Sequence, residues 1–297
     1  MSNFSCKLFD NLILKSPLIL ASGISGNSDG LLVRAAKSGA AAVTTKGVTL
    51  KYQKGAENPV STDWGPGLIT NLGLSNPGIE SMAYMIKTFR NEMGDQTIPI
   101  FVNIHGESAE EYAEIARLIA PSHPDLLEID LPFPDETLAR EITHAVIENA
   151  SGIPISVKIS ADYPKIGQLA KVIEEAGADA ISAINSTKGL IVDAYAAKPF
   201  LSSGSGGISG PAIKPIALYC ISEIYQAVNI PIIGTGGVLT GLDMAEMMMT
   251  GATIVGVGSA LYYSGYGAFS QIMNEFETFM KSEGYQSTSE LVGKIWR

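Results

Sequence analysis

The sequence predicts a single α/β domain spanning residues 1–297, an eight-stranded parallel βα barrel. Three observations predict it. Eight short apolar runs alternate with segments of helical periodicity or helix length. The last two runs end in glycines, Gly234-Thr235-Gly236-Gly237 and Gly256-Val257-Gly258-Ser259, where the loops after strands seven and eight of such barrels form a phosphate site. No linker or shift of composition divides the chain.

Residues 5–14 read as two short strands around Asp10-Asn11, a β-hairpin placed to plug one end of the barrel. Barrel strands are expected at Leu18–Ala21, Ala41–Thr45, Ile98–Ile104, Leu126–Ile129, Ile153–Ile159, Ala178–Ile184, Ile230–Ile233 and Thr253–Val257. These runs are apolar throughout rather than alternating, as strands buried on both faces are. Helices are expected between them, at Ala109–Ile119, Glu136–Asn149, Ile166–Ala176, Ile213–Val228 and Leu242–Thr250 among others. Two connections, Gly47–Gly78 and Asn185–Gly210, are expected as long loops without secondary structure. Both follow strands, so they cover the C-terminal face, where barrel enzymes keep their chemistry.

Bulk properties exclude several classes. A net charge of −10 leaves no basic stripe for nucleic acid, though it permits local positive charge at one pocket. Cys6 and Cys220 stand too far apart for metal-ligand spacing or a disulfide framework, and no metal is expected. No apolar run has the length of a membrane helix, and the first residues carry no signal-peptide pattern, so a cytoplasmic location is the expectation.

Polar residues at the ends of the apolar runs carry the chemical information. Lys46 closes one run, Asn103 another, Lys158 a third, and Asn185-Ser186 a fourth. Two lysines there are costly to bury unpaired, and an anionic ligand or an electron-rich cofactor accounts for both. A single lysine in such a place is more often a rim residue reaching solvent. Together with two glycine turns able to present main-chain N–H groups to an anion, they point to a phosphorylated cofactor. His105 reads as a packed, hydrogen-bonded residue at a strand end, and His123 and His144 read as surface positions. No Ser-His-Asp set is present.

Several motifs extend this reading along nearly the whole chain. They include Ala21-Ser22-Gly23, Thr44-Thr45-Lys46-Gly47, Leu72-Gly73-Leu74-Ser75-Asn76-Pro77-Gly78 and Ala183-Ile184-Asn185-Ser186. Gly206-Gly207-Ile208-Ser209-Gly210-Pro211-Ala212-Ile213-Lys214-Pro215 is the most specific of them. In this order and spacing the chain resembles the dihydroorotate dehydrogenases, FMN-dependent βα barrels that oxidise dihydroorotate to orotate in pyrimidine biosynthesis. The tail, Gly284-Tyr285-Gln286-Ser287 through Gly293-Lys294, resembles the soluble homodimeric branch that uses fumarate. The resemblance therefore implies FMN, a homodimer and a soluble electron acceptor.

It also implies roles. Gly236, Gly237, Gly258 and Ser259 would hold the FMN phosphate. Ala21, Ser22, Gly23, Lys46, Gly47, Asn103, Asp130, Ile184 and Gly207 would touch the cofactor. Lys158 would lie near the flavin N1 and stabilise the reduced ring. Lys46, Leu72, Gly73, Leu74, Asn76, Asn185 and Ser186 would bind the substrate.

One segment departs from the family. Its Glu-Ile-Asn-Leu-Ser-Cys-Pro-Asn run, whose Cys (Ser in other branches) is the catalytic base, is here Glu128-Ile129-Asp130-Leu131-Pro132-Phe133-Pro134-Asp135. Phe133 stands at the base position and cannot take a proton. Asp130 and Asp135 replace two asparagines and, when ionised, only accept hydrogen bonds. Thr70 stands where another substrate asparagine is usual, with Asn71 beside it. The base is thus open, with Asp130 and Asp135 as candidates. Ionised aspartates would also repel orotate, so weak orotate binding is expected. Three readings follow: a dihydroorotate dehydrogenase with a relocated base, an FMN oxidoreductase acting on another small cyclic or carbonyl substrate, or a non-catalytic flavin-binding protein.

Overall fold

Strands β1 (Cys6–Phe9) and β2 (Leu12–Leu14) form an antiparallel hairpin. The structure, a computed structural model, describes residues 4–131 and 135–297. Alternation along the hairpin buries Cys6, Leu8, Leu12 and Leu14 against residues such as Phe101, Leu126 and Ile254. Those partners lie at the starts of barrel strands, so the hairpin closes the N-terminal end of the barrel.

The barrel then builds in repeats. Strand β3 (Leu18–Leu20), helix α1 (Asp29–Lys37) and strand β4 (Val43–Thr44) make the first. After β5 (Ser61–Asp63) and β6 (Leu68–Thr70) come α2 (Ile79–Met93) and β7 (Ile100–Ile104). Helix α3 (Ala109–Ile119), β8 (Leu126–Leu131), α4 (Glu136–Asn149), β9 (Ile155–Ser160), α5 (Ile166–Glu175) and β10 (Ala180–Asn185) follow. Four short strands come next: β11 (Thr187–Gly189), β12 (Val192–Asp193), β13 (Lys198–Pro199) and β14 (Gly206–Ser209). The chain ends with α6 (Lys214–Ala227), β15 (Ile232–Thr235), α7 (Gly241–Thr250), β16 (Ile254–Val257), α8 (Ala260–Ser264) and α9 (Ala268–Ser282). Strands β3, β4, β7, β8, β9, β10, β15 and β16 pair in that order, all parallel, and close into an eight-stranded (β/α)8 barrel.

Local chemistry sets the helix starts. Ser28 and Ser108 accept the Leu31 and Glu111 N–H groups and cap α1 and α3. Thr240 and Asp243 form a reciprocal capping box on α7. Along α3, Tyr112, Ile115, Ala116 and Ile119 fall on one face and are buried. Cys6 and Cys220 are buried free thiols, each pushed up to about 11 by that burial.

The two long connections are not structureless. Strands β11, β14, β6 and β5 form a four-stranded antiparallel sheet over the C-terminal mouth, in that order, with Gly207 opposite Thr70. Glycine-rich strands have little intrinsic strand preference, so long-range pairing makes them strands here.

Lys214, from the family-like run, belongs to the frame. Its Nζ donates to Asp243 Oδ1 at 2.5 Å and to Glu246 Oε2 at 2.8 Å, tying α6 to α7. Lys214→Met leaves two carboxylates facing each other without a cation. The expected loss is about 1–2 kcal/mol, between an exposed ion pair and a buried charged hydrogen bond, because Glu246 is over a third exposed. Urea denaturation of flavin-free protein measures it, and an unchanged midpoint would remove Lys214 from the frame.

Candidate active site

Two cavities open at the C-terminal mouth. The smaller, about 210 Å³, lies between the turns after β3, β15 and β16. The larger, about 820 Å³, lies under the β6–β14 sheet. They share Ser22, Gly23, Thr70, Leu72, Lys158, Asn185 and Ser186, so they form one continuous site of a size suited to a cofactor and a small substrate.

The smaller cavity suits a phosphate group. Gly236 and Gly237 have φ of +129° and +76°, a region that favours glycine. A Cβ on Gly237 would stand 2.7 Å from the Lys214 Cβ, so this turn is packed on its outer side. Gly258 is the opposite case: a Cβ there meets no atom within 4 Å, so its main chain faces open cavity. Such uncovered backbone is what lets N–H groups reach an anion. Ala21, Ser22, Gly23, Ile184 and Ser259 complete the wall.

The larger cavity carries the charge. Lys46, Lys158 and Lys188 line it, against one carboxylate, Asp130. Lys46 Nζ donates to Ser75 Oγ at 2.7 Å, and burial lowers its pKa. Lys158 is 6% exposed and sits opposite Asp130 in the β8–β9 register. Its charge acts on the Asp130 carboxyl beside it, and it is the most enclosed of the three lysines on this wall. Burial pushes the Asp130 carboxyl above the usual carboxylate range, against the pull of Lys158 and His105 and with a further push from Glu128. Asp130 Oδ1 accepts from Asn185 Nδ2 at 2.7 Å, and Asn185 Oδ1 accepts from the Ser186 N–H at 2.8 Å. The Asn185 amide is therefore oriented, with one N–H left to donate.

Gly47, Leu72, Gly73, Leu74 and Gly207 stand on the same wall, as do Asn185 and Ser186. Three expected residues do not reach it. Asn76 is consumed by its own loop: its Oδ1 accepts from the Thr49 and Gly78 N–H groups and its Nδ2 donates to Leu74 O and Thr49 Oγ1. Asp135 is an exposed N-cap, its Oδ1 accepting from the Leu138 N–H at 2.8 Å, and it lines neither cavity. Asn103 lies one layer behind Gly47, donating to Glu128 Oε1 at 2.8 Å, with its own Oδ1 unpartnered among the described residues. Phe133 lies outside the described residues.

Two titratable wall residues escaped the sequence reading. Lys188 sits on β11, a strand whose glycine-rich partner gave no strand signal. His105 was expected as a packed, bonded residue, yet it lines the larger cavity and its enclosed Nδ1 has no hydrogen-bond partner among the described residues.

The closed parallel barrel carries a glycine-walled cavity joined to a lysine-lined one at its C-terminal mouth, and its relatives make it a βα-barrel oxidoreductase. The chain belongs to the dihydroorotate dehydrogenase family, whose model, "Dihydroorotate dehydrogenase", matches residues 5–280. It is 37% identical over 298 residues to the "Dihydroorotate dehydrogenase B (NAD(+)), catalytic subunit" of Methanothermobacter thermautotrophicus, covering 95% of each chain. The protein of the same name from Methanocaldococcus jannaschii is 34% identical, covering 97% of this chain and 98% of that one. That from Pyrococcus abyssi is 36% identical, covering 94% and 95%. Among solved structures, the dihydroorotate dehydrogenase of Eimeria tenella in complex with ferulenol superimposes with a TM-score of 0.88 at 20% identity, covering all of this chain and 89% of that one. This last likeness speaks for the fold.

Proposed function

We propose that this protein is a catalytic subunit that oxidises dihydroorotate to orotate with FMN, in the cytoplasm, and passes the electrons to a partner linked to NAD(+). The observation that carries the substrate is the charge of the larger cavity: three lysines face one carboxylate in a protein of net charge −10. That local reversal of sign suits an anionic substrate. The NAD(+) direction follows the names of the relatives, which speak of a catalytic subunit; the tail resemblance alone carried fumarate and the homodimer. No helix among the described residues is long and apolar enough to cross a membrane.

FMN fits the residues present. The glycine turns at 236–237 and 258–259 would hold its phosphate, and Lys158 and the Lys46–Gly47 turn would flank its ring. When bound, FMN supplies a two-electron acceptor for hydride. The protein's own residues hold the substrate: Lys46 offers a cation, Asn185 an oriented amide N–H, and the β6–β14 sheet a cover against water.

The structure weakens the reason to expect poor orotate binding. Asp135 is committed to a helix cap, and the Asp130 carboxyl is met by the Asn185 amide, Lys158 and His105, which balance its charge within the wall. A flavin spectral titration is therefore expected to give a saturating shift at micromolar orotate, and dihydroorotate to reduce the flavin without oxygen. The second reading, another small cyclic substrate, draws on Thr70, a wall residue without the amide that the family usually has there. Orotate without effect, together with reduction by another cyclic carbonyl compound, would replace the first reading with the second. Reduction by dithionite alone would leave a flavin-binding protein without this catalysis.

A further inference from the structure

We propose that His105 is the catalytic base, with Asp130 as the residue that positions it. This rests on the reading of the site as one that oxidises a dihydropyrimidine ring.

The chain holds His105 at the mouth by its main chain, whose N–H donates to Val48 O at 2.9 Å just after β7. Its ring packs edge-on against Tyr112, with centroids 6.1 Å apart. The Tyr112 hydroxyl donates to the Asp130 main-chain O at 2.5 Å, so one side chain from α3 braces both residues. His105 Nδ1 is enclosed, lacks a hydrogen-bond partner among the described residues, and stands 4.0 Å from Asp130 Oδ2. An enclosed nitrogen facing a carboxylate is favoured as N–H, which leaves Nε2 as the lone-pair nitrogen of a ring that lines the cavity. Catalytic contacts of this kind are commonly long before substrate binds and tighten in the complex. A buried polar atom without a partner calls for an explanation, and a proton-transfer pair supplies one.

Asp130 is the poorer base. Its Oδ1 is occupied by Asn185, and its other oxygen faces the imidazole. The carboxylate is better placed to hold the ring and to balance the imidazolium that forms. The remaining charged groups nearby are Lys158 on β9, and Glu128, whose Oε1 accepts from Asn103.

The step balances as follows. The proton on the substrate carbon next to the ring carbonyl goes to His105 Nε2. Bound FMN would supply the two-electron oxidant that takes the hydride from the adjacent carbon, leaving the double bond between the two carbons. The imidazolium later returns its proton to water.

The test uses flavin-loaded, full-length protein. In His105→Gln, anaerobic flavin reduction by dihydroorotate is expected to slow about 100- to 10,000-fold, the range for loss of a general base. Orotate binding should stay within a few-fold, and added imidazole should restore part of the rate to His105→Ala. Nitrogen-15 spectra give a readout without turnover, because the chain has three histidines and His105→Gln identifies one set of signals. The neutral His105 ring is expected with its proton on Nδ1, and Asp130→Asn should abolish that preference. Reduction of His105→Gln at the wild-type rate would overturn the proposal, as would an Nε2-protonated ring indifferent to Asp130. Wild-type protein that dihydroorotate fails to reduce would sink the substrate reading alone. The nitrogen spectra would then decide the pair, the Asp130-dependent Nδ1 proton sustaining it and its absence overturning it.

Discussion

A Gly258→Asp variant is expected to purify without FMN while its apoprotein stays folded. Gly258 follows β16 and lines the smaller cavity, and a Cβ there meets no atom within 4 Å. The new side chain therefore enters the space assigned to the phosphate without disturbing the frame. Two like charges about 4 Å apart repel by ~1 kcal/mol in water and ~4 kcal/mol at the dielectric of a protein surface. A doubly charged phosphate and the steric loss add to that, and each 1.4 kcal/mol is a tenfold loss of affinity. Gly237 is a poorer choice. Its φ is +76° and a Cβ would crowd Lys214, so flavin loss there confounds repulsion with misfolding. Flavin absorbance and the apoprotein melting temperature together decide the matter. A full flavin complement in Gly258→Asp would move the phosphate out of this cavity.

The barrel was legible because burial on both faces of a strand leaves an apolar run whatever the loops do. The site was legible only at its edges, and the register explains why. Predicted runs beginning at Ile98, Ile153 and Ile230 become strands at Ile100, Ile155 and Ile232. Pro99, Pro154 and Pro231 have no N–H to donate, although their carbonyls accept from the neighbouring strand. At the other end β8, β9, β10 and β15 run on to include Asp130, Ser160, Asn185 and Thr235. An apolar criterion trims off those polar ends, and in a barrel those ends are the site.

Long-range placement was not legible. The sheet joining Thr70 to Gly207 pairs residues far apart in the chain through glycines that signal no strand. Asn76 and Asp135 show a common limit: short polar side chains also serve nearby backbone as turn clamps and caps, and composition does not separate these duties from ligand binding. The same limit applies to His105, whose free nitrogen appears only once Asp130 and Tyr112 are seen around it.

Lys158→Ala is expected to lower the midpoint potential of the bound flavin. Lys158 lines both cavities and is nearly enclosed, so its charge acts where water screens little. Its register partner Asp130 offsets it only in part, because that carboxyl is shared with Asn185 and His105. The cation thus stabilises negative charge added to the ring on reduction. Taking a net loss of about 1–3 kcal/mol, below the ~4 kcal/mol for unit charges 4 Å apart at an effective dielectric of 20, the shift is roughly 20–60 mV for a two-electron couple. Lys158→Arg keeps the charge and should keep most of the potential, which separates charge from packing. The alanine variant also removes the cation that pulls the Asp130 pKa down, so Asp130 becomes harder to ionise and serves His105 less well. Flavin reduction should then slow by more than the potential alone explains, and Lys158→Ala/Asp130→Asn should lose less than the two single losses combined. Spectroelectrochemical titration gives the potential and anaerobic stopped flow the rate. An unchanged potential in Lys158→Ala protein that still holds FMN would show that this ammonium does not face the ring.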